Sequence, residues 1–270
     1  MTADGWTKAV RRQLGLGRLL PLGGANDGAW ITERAAETVL RRGTAALRGL
    51  SLGPLRISLA DSDDSDDSDE HDDSDEHDAA VPPPPSALPP GRLRITADFA
   101  AVAGPTAEPF PAMAARLRTV LFTTAVERLG LRVTEVDLRV THLWEGDEEP
   151  ACPAPEPLPA PEPPPAAAPP PTAAPPPADD DENVRAAAAA LSVPGVTHST
   201  RRTTTLGGHI ATGPALRRRH ILLEVAVTAE RRALDMAREV RAAVSEALPD
   251  PPSVAVLITA VTVAVPPPGR

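Results

Sequence analysis

The sequence predicts an α+β protein made of two tandem copies of a small α-β-β-α-β module. Apolar residues alternate with polar ones in several short runs and recur at helical spacing in others, which indicates half-buried strands and amphipathic helices. The same order of helix, strand, strand, helix and strand occurs twice. Between the two copies lies a segment dominated by Pro and Ala, a composition typical of chain that forms no packed core.

In the first copy, Thr32 is placed to cap a helix, and each later element follows from its apolar spacing. The two strands after this helix flank an acidic and Pro-rich stretch, which is therefore a long hairpin loop. The predicted elements are a helix at 33–47, a strand around Leu55, Ile57 and Leu59, a strand around Leu93, Ile95, Ala97 and Phe99, a helix through Met113, Leu117, Val120, Leu121 and Thr124, and a strand at 131–143.

The second copy repeats this order, with a helix at 184–191, strands at 197–205 and 221–227, a helix at 233–247 and a β-rich run at 254–265. A constant offset carries the last helix and strand of one copy onto those of the other, which favours duplication. The predicted matches are Met113 with Met236, Leu117 with Val240, Arg118 with Arg241, Val133 with Val256, Leu138 with Val261, Val140 with Val263 and, at a second offset, Phe99 with Val227.

Composition separates folded from low-complexity segments. Of 270 residues, 41% are hydrophobic, but 34 are Pro and only 2% are aromatic. The net charge of -10 comes mainly from the run 61–78, so the rest of the chain is nearly neutral. We predict a basic amphipathic arm at 1–24, a first module at 25–146 with a disordered insertion at 61–90, a Pro-rich disordered linker at 147–180, a second module at 181–265 and a tail at 266–270. In polyproline II conformation such a linker is long enough to hold the modules tens of ångströms apart.

Both copies resemble the alkaline shock protein 23 (Gls24) family, whose small domain has a helix, a strand hairpin, a second helix and a final strand. The residues that carry the resemblance are the segments 30–36, 93–99, 113–129 and 133–140 in the first copy, and 191–196, 221–227, 235–248 and 254–263 in the second. Two features depart from the family: the acidic insertion, and Arg48-Gly49-Leu50 where the second copy has Pro194-Gly195-Val196. The resemblance implies a nonenzymatic bacterial scaffold protein of the envelope stress response, which binds itself or a membrane-anchored partner.

The arm is the predicted partner-binding site. Apolar residues share one helical stripe and basic residues surround it, a pattern that suits an anionic membrane or the groove of a partner. A helix packed on its own module would have the same pattern. The predicted partner-binding residues are Trp6, Lys8, Val10, Arg11, Arg12 and Leu14.

The alternative function is nucleic-acid binding by the second module. Arg201, Arg202 and the run 217–219 place positive charge around its hairpin. The module has neither the aromatic platform of single-strand readers nor a GXXG loop. Solubilising charge at strand ends would give the same pattern.

We predict no enzyme activity, no catalytic residues, no cofactor and no metal site. His142, His198, His209 and His220 are scattered and lie near no paired nucleophile. The run 61–78 lacks the Gly turn and terminal Glu of a calcium loop.

We expect a cytoplasmic protein, peripheral at the inner face of the membrane. Cys152 is the only cysteine, which excludes a disulfide framework within the chain. No apolar run approaches the roughly 20 residues of a membrane span, and arginines interrupt the apolar residues near Met1. The apolar run 254–265 should be covered on both faces, so a face left open there would be an assembly surface.

Overall fold

The computed structural model describes residues 17–60, 81, 83–84, 86–105, 107–145, 178–203, 220–248 and 252–263. Its helices and strands form two sheets with helices packed against them, so the predicted α+β class is confirmed. The strands are β1 (Leu19–Pro21), β2 (Ala29–Thr32), β3 (Leu50–Leu59), β4 (Leu93–Ala103), β5 (Val133–Glu145), β6 (Val196–Thr203), β7 (His220–Thr228) and β8 (Ser253–Thr262), and the α-helices are α1 (Glu33–Thr44), α2 (Phe110–Thr123), α3 (Ala178–Ser192) and α4 (Ala233–Ala247).

Each predicted copy has the same sheet. In the first unit (α1 to β5), β3 pairs antiparallel with β4, and β4 pairs parallel with β5. In the second unit (α3 to β8), β6, β7 and β8 repeat this order and these directions. Thr32 caps α1 as predicted, since its hydroxyl accepts the N–H of Ala35 at 3.3 Å. The order α-β-β-α-β is therefore present twice.

The turn between the first helix and strand is built alike in both units. Gly49 and Gly195 have positive φ angles of 72° and 98°, a region that favours glycine. The carbonyl of Gly49 accepts the N–H of Val102, and that of Gly195 accepts the N–H of Thr228. The tripeptides around these glycines, which differ in sequence, thus have the same structural role.

The predicted match of the last helix and strand is only partly correct. Met113 and Met236 are buried at the same place in α2 and α4. A π-helical turn, Thr124–Leu129, then lengthens the helix of the first unit and has no counterpart among the described residues of the second.

The strand that follows is consequently displaced. Both final strands contain a bulge, at Thr141 in β5 and Thr259 in β8, and each threonine hydroxyl donates to the neighbouring strand. Aligning the two bulges matches Val136, Leu138, Val140 and Leu143 with Val254, Val256, Ile258 and Val261, and Phe99 with Val225.

The two units share one core and are not held apart, although an extended Pro-rich linker is long enough to separate them. Strand β2 pairs parallel with β8, and β1 pairs antiparallel with β2, so the larger sheet has the order β1-β2-β8-β7-β6. The buried side chains of both units form a continuous cluster. The segment 19–32, called the β1–β2 hairpin below, therefore belongs to the sheet of the second unit although α1 of the first unit follows it directly.

Two predicted low-complexity boundaries also change. The arm predicted to reach residue 24 ends earlier, because Leu19, Leu20 and Leu22 are buried in and beside β1. The insertion predicted as disordered over 61–90 is ordered near its end: Val81 is buried, and the N–H of Leu88 donates to the carbonyl of Leu19. Apolar side chains in both places cover the larger sheet.

Replacement of Gly130 by Ala should destabilise the contact between the units. Gly130 has a φ of 90°, and an added Cβ would lie 2.5 Å from Cβ of Leu234 in α4. The strained backbone and the overlap should together lower the free energy of unfolding by about 2 to 4 kcal/mol. Urea unfolding of the full chain measures this. Gly104→Ala is the matched control, because an added Cβ there meets nothing within 4 Å; equal losses in the two variants would contradict the account.

Candidate functional site

The outer edge of β8 is occupied by the β1–β2 hairpin. Ala29, Trp30 and Ile31 lie opposite Val256, Leu257 and Ile258, and the N–H of Val256 donates to the carbonyl of Gly28 at 2.9 Å. Side chains on both faces of β8 are buried, those of Ala255 and Leu257 under Leu19 and Trp30. From Val254 to Ile258 this strand is therefore covered on both faces, as its apolar composition predicts, and this part leaves no open face for assembly.

Charged groups of α4 hold the turn that precedes β2. Arg238 donates to the carboxylate of Asp27 at 2.8 Å, and Arg241 donates to the carbonyl oxygens of Asn26 and Asp27 at 2.6 and 3.0 Å. Partial burial disfavours the charged form of Asp27, but the hydrogen bonds from Arg238 and Gly24 and the two arginine charges outweigh it and lower its pKa. Asp27 is thus ionised at neutral pH and fixes the hairpin to the second unit.

The helix after β2 covers the apolar face of β8. Thr32 is the last residue of β2 and the cap of α1, and its hydroxyl also donates to the carbonyl of Thr259 at 3.4 Å. Helix α1 packs against β8, where Ile258 is fully buried and Val261 is 8% exposed. A strand on the edge and a helix on the face together complete the sheet of the second unit.

The corresponding edge in the first unit is open. Among the described residues no strand pairs with the outer edge of β5, which ends the three-stranded sheet. Val140 and Leu143 correspond to Ile258 and Val261, yet they are 42% and 47% exposed. The surface that the hairpin and α1 cover in the second unit is therefore covered by no described element in the first.

Backbone groups of β5 face this open edge. Nε of Arg118, on α2, donates to the carbonyl of Val136 at 3.1 Å. Because the direction of N–H and C=O alternates along a strand, Leu138 and Val140 also direct theirs outward. Arg118 occupies the position that Arg241 has in the second unit, where the guanidinium binds carbonyls of the incoming hairpin.

The other edge of this sheet, β3, is blocked by side chains. Arg41 donates to the carbonyl oxygens of Leu52 and Gly53 at 2.8 and 2.7 Å, and the carboxylate of Glu33 accepts the N–H of Ile57 at 3.1 Å. A bulge and Pro54 interrupt the strand between these contacts. The bulge, the proline and the occupied N–H of Ile57 oppose edge pairing here, whereas β5 runs without a bulge from Val136 to Val140, so β5 is the available edge of the first unit.

The predicted arm residues Trp6, Lys8, Val10, Arg11, Arg12 and Leu14 lie outside the described residues, as do Arg217, Arg218, Arg219 and the acidic run 61–78. Of the predicted basic hairpin, Arg201 and Arg202 are placed by their backbone in β6, opposite Leu223 and Leu222. The predicted partner-binding site therefore stays a prediction, and the open edge of β5 lies where no site was predicted.

The described histidines form no common site. His220 is half-buried, its Nδ1 lies 2.9 Å from the hydroxyl of Ser253, and burial lowers its pKa. His142 and His198 are exposed in separate sheets. Within the described ranges, no three His, Cys, Asp or Glu side chains are grouped so as to hold a metal ion. No helix in those same ranges is long and apolar enough to cross a membrane.

Comparison with protein-family models, curated proteins and solved structures finds no match to this chain. The resemblance to the alkaline shock protein 23 family therefore stays a prediction.

Replacement of Asp27 by Asn should loosen the hairpin. The loss of a charge-assisted pair should lower the free energy of unfolding by about 1 to 2 kcal/mol at pH 7. A lowered folded-state pKa means that Asp27 stabilises the fold fully above its unfolded value of 3.8 and loses this effect as the pH falls through the folded value. The difference between variant and wild type should therefore shrink below about pH 4, as followed by urea unfolding at several pH values.

Asp235→Asn is the control, since Asp235 lies 3.9 Å from the same arginine in an exposed position. A loss for Asp27→Asn that does not change with pH would contradict the role of its charge.

Proposed function

We propose that this chain is a nonenzymatic scaffold protein that binds another protein by strand addition at the outer edge of β5. The observation that carries the proposal is the difference between the units. One position of the fold is filled by the chain's own β2 in the second unit, whereas none of the described residues fills it in the first. An exposed edge with unpaired N–H and C=O groups is a template for an added strand.

Two further features support a protein ligand. The edge combines outward backbone groups with the exposed side chains of Val140 and Leu143, and strand addition uses both: hydrogen bonds give affinity and side chains give specificity. Arg118 has the same position in the first unit as Arg241 has in the second, where Arg241 donates to carbonyl oxygens of the turn before β2. An added strand would therefore meet the same kind of donor that already holds one in this molecule.

The cellular setting proposed for this scaffold is the cytoplasmic face of a bacterial envelope, where the basic arm engages a membrane-anchored partner under stress. The family resemblance and the amphipathic pattern of residues 6–14 support this part. Nothing in the described residues favours the nucleic-acid alternative: Arg217, Arg218 and Arg219 lie outside them, and Arg201 and Arg202 are described by their backbone alone.

A photo-crosslinking amino acid placed at Val140 tests the proposal in the full chain. Irradiation in bacterial lysate should give adducts to polypeptide, identified by mass spectrometry. The same amino acid at Val184 is the control, since Val184 is 67% exposed but lies on α3 of the second unit. Adducts to nucleic acid, or equal yields at the two positions, would exclude a protein-binding edge at β5.

Leu138→Pro should weaken binding without unfolding the sheet. The substitution removes an N–H that faces outward, and loss of one hydrogen bond of about 1 kcal/mol corresponds to about fivefold lower affinity. The crosslink yield at Val140 and the thermal unfolding temperature measure the two effects. In the control Arg139→Pro the lost N–H faces β4 instead, so the unfolding temperature should fall clearly. The proposal fails if Leu138→Pro leaves the crosslink yield unchanged.

A further inference from the structure

We infer that the strand added to β5 is β5 of a second copy of this chain, antiparallel and related by a twofold axis at Leu138. This inference rests on the proposed function and names its partner. A twofold contact uses the same surface on both chains. It also leaves every strand in its own sheet. The alternative donor would be β2 of another copy, but β2 is already paired on both sides, with β1 and β8, and would have to leave its sheet.

The outward backbone groups agree with this register. With Leu138 on the axis, Leu138 faces Leu138 of the other copy, and Val136 faces Val140. All three residues direct N–H and C=O to the open edge, so each pairing is a hydrogen-bonded one. The carbonyl of Val136 already accepts from Arg118, but it has a second lone pair for the incoming strand. The apolar side chains of the two β5 strands then lie next to each other on one face of the joined sheet, and Val140 is covered.

The charged side chains of β5 favour this register over registers shifted by one or two residues. Asp137 lies opposite Arg139 of the other copy, twice by symmetry, on the face away from the core. A shift of the axis by one residue places Asp137 opposite Asp137, or Arg139 opposite Arg139. A shift of the axis by two residues, to Val136, places Asp137 opposite Glu135. Like charges directly opposite each other destabilise a strand pair, whereas opposite charges stabilise it.

The two charged side chains are accessible for this pairing. Asp137 is 61% exposed and lies 3.5 Å from Arg94 of its own sheet. Arg139 is exposed and stands beside Asp98 of β4. Within the described part of the chain no ion pair engages Arg139. The pairing would therefore supply a partner carboxylate to this guanidinium and add one cation to the surroundings of Asp137.

A complementation experiment with two full-length single variants tests both partner and register. Asp137→Arg makes positions 137 and 139 both positive, and Arg139→Asp makes both negative. Each variant alone should associate at least about tenfold more weakly than the wild type in sedimentation equilibrium, because two like-charge pairs form on either side of the axis. An equimolar mixture should recover the wild-type dimer, since opposite charges then face each other at both pairs.

Controls with the same charge changes at exposed helix positions, Arg34→Asp and Glu246→Arg, should associate as the wild type does, and circular dichroism should show all variants folded. The inference is overturned if the wild type is a single chain throughout the concentration range, if either variant dimerises as tightly as the wild type, or if the mixture does not recover the dimer. When such a result accompanies crosslinks from Val140 to a different protein, the inference fails while the proposed function stands. When it accompanies no polypeptide adduct at all, both fail.

Discussion

The parallel pairing of β2 with β8 is the contact on which the arrangement of this molecule depends. Because Thr32 both ends β2 and caps α1, placing the strand on the edge of β8 also places the helix over Ile258 and Val261. The same pairing brings Asp27 to Arg238. One ladder of three residue pairs thus determines where the first unit lies relative to the second, and it makes a continuous core from two small ones.

The two units have the same strand order but differ at the outer edge of the last strand. In each unit the outer edge of the last strand has backbone N–H and C=O groups that a further strand can bind. Among its described residues the chain supplies a single hairpin that does so. The second unit has it, and its final strand is accordingly apolar on both faces. The first unit lacks it, and β5 carries Asp137, Arg139 and Glu145 among its apolar residues. This difference in composition matches a strand that stays in contact with water when no partner is bound.

The α-β-β-α-β order could be predicted from the sequence because hydrophobic spacing is a local property. Helix α4 lies at 233–247 as predicted, and Thr32 was identified as a cap from its position before an apolar period. The β1–β2 hairpin could not be found in this way. Its strands have three and four residues, too few for a period, and their burial comes from residues of the other unit.

The candidate edge was missed for a related physical reason: whether a strand is an edge depends on its neighbours, which the pattern of one strand does not contain. In the sequence, Val136, Leu138 and Val140 share one face of the predicted strand, and only the missing cover makes Val140 exposed. A sequence signal was nevertheless present. The bulge at Thr141 shifts the apolar side from even to odd positions, and charged residues interleave with the apolar ones throughout β5, in contrast to β8.

The pairing of β2 with β8 also has a consequence for folding during synthesis. The hydrogen bond from Thr32 joins it to a residue 227 positions later, so the hairpin is made long before the strand that receives it. Contacts of such sequence separation form late and slow the folding of a chain. Until β8 emerges, the apolar groups of Leu20 and Ile31 have no permanent cover, and the nascent first unit presents two incomplete surfaces that chaperones can recognise.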